Sequence, residues 1–168
     1  LRLAVAAEYD ALGDPEMAAT VLSRGPQDNQ SYALRASLLA KAENNSALQA
    51  LYGQLQGESS KPDPERRLLL GQTAEFLKHM DEALAWYRSV PGGPQRWQAR
   101  LRAASVLHEL KRGPEAFTEL RAMENDGAAD DESRRQAYLV EADLRQKEKD
   151  NVGEMEAFAR GLAAYPDD

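Results

Sequence analysis

Residues 63–90 read DPERRLLLGQTAEFLKHMDEALAWYRSV, a stretch that holds two helices and the turn between them. Asp63 suits the N-cap, Pro64 the first helical position, and Glu65 the positive end of the helix dipole. Past the turn, Met80, Ala83, Leu84, Tyr87 and Val90 recur at i, i+3, i+4, i+7 and i+10, so one face of the second helix is apolar.

The same opening recurs at Asp14-Pro15-Glu16 and Gly113-Pro114-Glu115, with Gly93-Pro94-Gln95 as a weaker fourth instance. Helical spacing of apolar residues between these starts predicts helices near 1–12, 15–24, 30–42, 45–56, 64–78, 80–90, 94–111, 114–124, 131–148 and 151–165. They form five antiparallel pairs, near 1–24, 30–56, 64–90, 94–124 and 131–165. Composition agrees: Leu and Ala are abundant, Ile is absent, and only six Val and three Thr are available to favour strands. The fold class is all-α, and residues 1–168 are expected to form a single repeat domain. Because the chain begins at Leu1 without Met and already reads as helix there, it is expected to be a segment of a longer protein.

The pairs align on a small residue early in each second helix, taken as Ala18, Ala47, Ala83 and Ala116, at spacings of 29, 36 and 33 residues. A two-helix unit recurring about every 34 residues, with Arg67-x2-Leu70-Gly71-x2-Ala74 followed by Ala83-x3-Tyr87, resembles the tetratricopeptide repeat. Ala104, Ala116 and Leu120 occupy matching slots in the fourth pair, and Tyr138, Ala142, Phe158 and Pro166 do so in the fifth. The chain departs from the pattern where Lys78 and Lys111 replace the turn glycine and where Glu154 replaces a small residue. The resemblance implies a right-handed superhelical stack of about five helix pairs, in which each pair is buried by its neighbours. Close approach within a pair would rest on Gly71, Ala83, Ala104 and Ala116.

The resemblance also implies a protein-binding scaffold. The first helices of successive pairs would line a concave groove, with Ala33 and Ser37, then Leu68, Gln72 and Glu75, then Leu101, Ser105 and His108, then Leu139, Asp143 and Gln146. Leucine at Leu68, Leu101 and Leu139, in place of Lys, Arg or Asn, disfavours a carboxylate clamp. An apolar or basic peptide or helix is the expected partner. The alternative for the three leucines is that they complete the core between repeats.

The segment from Ala83 to Trp97, with Arg102-Ala103-Ala104 after it, is similar to repeats of bacterial envelope lipoproteins of this class. That similarity implies an adaptor for a periplasmic processing protease, with a lipid anchor elsewhere in the parent protein and a periplasmic or outer-membrane location. A cytoplasmic location is the alternative. In the rival functional class the stack is a substrate-binding or regulatory arm of an enzyme whose catalytic domain lies outside this chain.

No catalytic activity, cofactor or metal is expected of these residues. The net charge of −7 disfavours nucleic acid, whose binding rests on Lys and Arg at phosphates. Arg96, Arg100 and Arg102 surround Trp97, but helical geometry puts Arg102 on a different face from the other two. His79 and His108 are isolated, and no nucleotide-binding, zincin or nucleophile-elbow motif occurs. Asp126 to Glu132 lacks calcium-loop spacing and reads as a solvated acidic turn. The absence of Cys removes disulfides and thiolate metal sites. No apolar run approaches the length of a membrane-spanning helix.

Overall fold

The computed structural model describes residues 1–167. Among them every regular element is an α-helix, as the composition requires. The chain divides into two compact units, residues 1–89 and the residues from Val90 onward.

The first unit holds α1 (Arg2–Ala11), α2 (Pro15–Ser23), α3 (Asn29–Lys41), α4 (Asn45–Gly57), α5 (Pro64–Phe76) and α6 (Met80–Arg88). Each helix packs on its chain neighbour, and α3 also packs on α5. The second unit holds α7 (Pro94–Glu109), α8 (Gly113–Glu124), α9 (Asp131–Lys147) and α10 (Asn151–Ala164). There too, consecutive helices pack together, and α7 also meets α9.

Helix starts follow the polar residues that precede them. Asp14, Asp28, Asn44, Asp63, Asp130 and Asp150 each accept a hydrogen bond from the amide three residues on, at 2.7 to 3.0 Å. Each such cap contributes about 1 kcal/mol to its helix.

One turn joins the helices of every hairpin. The residue past each first helix, Gly13, Glu43, Lys78, Lys111 or Lys149, is left-handed, with φ between 55° and 84°. Its amide donates to the carbonyl three residues back, and the next amide donates five residues back, as in His79 to Ala74 at 2.9 Å. This is the Schellman arrangement, and the residue that completes it is also the N-cap of the following helix. The turn moves the expected cap at Gly113 one residue back: Arg112 occupies that position and Gly113 is the first helical residue.

Four of the five left-handed residues carry a side chain, at a steric cost that glycine avoids. Lys78→Gly and Lys111→Gly are therefore each expected to stabilise the fold by roughly 0.5–1 kcal/mol, read as a higher denaturant midpoint at unchanged slope. An unchanged or lower midpoint would show that the turns are not strained.

The turns also set the register of the pairs. Seven residues before each left-handed position stands a small residue: Ala6, Ala36, Gly71, Ala104 or Ala142. All five are buried. Five residues after it stand Ala18, Leu48, Ala83, Ala116 and Glu154. The second pair therefore aligns on Leu48, which is fully buried, and not on Ala47, which is half-buried.

Large side chains fill the space that the small ones leave. In the first unit Tyr52 and Tyr87 are among the largest buried groups. The Tyr52 hydroxyl donates to Glu82 at 2.8 Å and accepts from the Trp86 indole at 2.9 Å. Burial, then the Glu82 bond, pushes the Tyr52 phenol up to about 12.

Candidate functional site

The groove positions separate by burial. In the first unit Leu68 is 7% exposed and belongs to the core, so it takes the packing role that had stood as the alternative. Gln72 and Glu75 beside it are half-buried, and Glu75 accepts the Tyr87 hydroxyl at 2.6 Å. On α3, Ala33 is half-buried and Ser37 exposed.

The first unit also carries a tie of polar groups across α3, α4 and α5. The Tyr32 hydroxyl donates to Glu58 at 2.5 Å, and Arg66 donates to Glu58 at 2.8 Å and to Asn29 at 2.7 Å. The Arg66 guanidinium lies 5.1 Å from the Tyr32 ring centre. The Tyr32 bond, then Arg66, holds the Glu58 carboxyl below its usual range. Every member of this tie is occupied by another, so it serves as a brace between helices.

In the second unit Leu101, Ser105 and His108 of α7 are half-buried. His108 Nε2 lies 3.2 Å from Glu148, and its ring is tilted against Phe117 at 6.5 Å. On α9, Leu139 is 50% exposed. Asp143 pairs with Lys147 at 2.7 Å, and Gln146 donates to Glu154 at 3.3 Å.

Trp97 is half-buried, with the guanidiniums of Arg96 and Arg100 at 5.1 and 5.4 Å from its ring. Arg100 also pairs with Asp126 at 3.1 Å. The Ala128 amide, then Arg100, holds the Asp126 carboxyl below its usual range, so the acidic turn is tied to α7. His79 caps α6 without a side-chain bond and meets the Tyr52 ring edge-on at 6.3 Å.

Leu139 opens onto an apolar cleft between α9 and α10, of about 230 Å³, whose floor is formed by Tyr138, Phe158, Leu162 and Tyr165. Leu162 is 56% exposed and Phe158 is 37% exposed. Tyr138 and Tyr165 meet edge to face at 6.5 Å, and the Arg135 guanidinium lies 4.6 Å from the Tyr165 ring centre. Chemically the cleft offers apolar and aromatic walls with a cation at the rim. That combination suits an aliphatic or aromatic group.

Of the sequence-derived groove residues only Leu139 lines this cleft. Phe158, Leu162 and Tyr165 were not read as surface. The signal for them lies in α10, whose apolar residues Val152, Met155 and Leu162 outnumber what its buried face, Gly153 and Ala157, requires.

Among the described residues no helix is long and apolar enough to cross a membrane. No family model and no curated protein matches the sequence.

Proposed function

We propose that the chain is a tetratricopeptide-like scaffold that holds a partner polypeptide, its five hairpins forming a right-handed superhelical stack. The observation that carries this is the fivefold recurrence of one hairpin. In each, a small buried residue stands seven positions before a left-handed turn residue whose successor caps the next helix. Recurrence of a two-helix unit supports a repeat architecture, and repeat surfaces recognise extended or helical polypeptides.

The exposed apolar cleft at Leu139, Phe158 and Leu162 supports a partner that inserts an apolar side chain. A finer form of the proposal is an adaptor of the bacterial envelope that presents a bound polypeptide to a processing protease. It rests on the resemblance of residues 83–104 to envelope lipoprotein repeats.

The test probes the cleft with an array of apolar, basic and acidic peptides. Apolar peptides are expected to bind, and Leu139→Glu to weaken them at least tenfold, about 1.4 kcal/mol. The melting temperature should stay within a few degrees, because Leu139 is half in solvent. Absence of binding across the array, or binding indifferent to Leu139→Glu, would sink the proposal for this cleft.

A further inference from the structure

The second unit buries two carboxyl groups against each other. Glu124, at the end of α8, is 5% exposed, and Glu141, in the middle of α9, is 0% exposed. Both meet the guanidinium of Arg160, Glu141 at 2.6 Å and Glu124 at 3.5 Å, which sets the two carboxyls side by side. Among the described residues no N–H or hydroxyl reaches Glu124 Oε1, which is buried.

The charges around the pair are unevenly shared. Glu141 receives Arg160 of α10 at 2.6 Å, Arg145 of α9 at 3.3 Å and Arg121 of α8 at 3.4 Å. Among the described residues Glu124 has only Arg160 Nε, at 3.5 Å. The Tyr138 phenol of α9 is held above its usual range by burial first and by Glu124 next. On α7, Arg100 engages Asp126 and His108 engages Glu148. Two carboxylates cannot both ionise cheaply at such range in a buried site when the guanidiniums favour one of them.

We propose that Glu124 and Glu141 share a single proton in the folded protein, and that this proton is a pH-sensitive latch joining α8, α9 and α10. Protonated Glu124 donates to the Glu141 carboxylate, and Arg160 completes the tie from α10. Loss of the proton puts two negative charges in contact and weakens the hold on α10.

Burial, followed by the Glu141 interaction, pushes the Glu124 carboxyl up to about 7. An unfolded glutamate titrates near 4.5. Between those values the folded protein binds more protons than the unfolded one, so stability falls with rising pH. The contribution is complete below about pH 4.5 and lost as pH climbs through about 7.

The experiment follows unfolding of the whole chain from about pH 5 to about pH 8, for the wild type and for Glu124→Gln, which keeps the shape and a donor without a titrating proton. The wild-type folded-to-unfolded ratio is expected to fall on the order of a hundredfold more than that of the variant across this range. An infrared difference spectrum of the wild type should also show a protonated-carboxyl band near pH 6 that fades by about pH 8. Parallel pH profiles for the two proteins would overturn the latch. So would a wild-type spectrum without that band, a result that does not depend on the variant folding.

Discussion

Gly71→Leu is expected to remove about 3 kcal/mol from the stability of the first unit. A Cβ at Gly71 would stand 2.5 Å from Tyr87 Cε1 and 2.6 Å from Cδ1, well inside contact distance. Tyr87 has nowhere to retreat, because it is 2% exposed and its hydroxyl is held by Glu75 at 2.6 Å. In an open helix, replacing Gly by Ala would gain about 1 kcal/mol of helix propensity. Here even Gly71→Ala is expected to lose on balance. Amide exchange across α5 and α6 gives the readout, and Tyr87→Leu in the Gly71→Leu background should recover part of the loss through a favourable coupling. A Gly71→Leu protein as stable as the wild type would mean that α5 and α6 do not approach as closely as the glycine implies.

Glu141→Ala carries the second large expectation, a loss of about 3 kcal/mol concentrated in the second unit. Its carboxylate is wholly buried and takes hydrogen bonds from Arg160, Arg145 and Arg121. Removal leaves guanidiniums close together without their anion, and Glu124 without the acceptor of its proton. Arg121 is half in solvent and will recover water cheaply, so most of the cost falls at Arg160 and Arg145. Because Arg160 anchors α10, amides of α10 should exchange faster than those of α7. Uniform exchange across the unit would argue against a local tie at Glu141.

The helices were legible because their signals are local. Asp14, Asn44, Asp63 and Asp150 cap where polar residues precede apolar periodicity, and the expected bounds fall within about two residues of those observed. The left-handed turns were harder to read: Lys78 and Lys111 stand where the tetratricopeptide pattern has its turn glycine, but Glu43 and Lys149 carry no mark that distinguishes them from surface residues. Without the turn at Glu43 to count from, the second pair aligns on Ala47 by residue size, one position before Leu48.

Burial divided the groove residues in ways that spacing does not encode. Leu68, Leu101 and Leu139 share a pattern position, yet they are buried, half-buried and exposed in turn. Their exposure depends on what the neighbouring helices present. The carboxyl pair was invisible for the same reason: Glu124, Glu141 and Arg160 come from three different helices, and no window of sequence contains them together.

The five hairpin turns also determine where such a chain can change length. One residue there ends a helix and begins the next, so an inserted residue would swing the second helix by about 100° around its axis and aim its apolar stripe at water. The connections at residues 58–63 and 125–130 impose no such coupling, and insertions or deletions among relatives should gather in them. Growth of the protein by duplication would then proceed in whole hairpins, with the breaks falling between pairs.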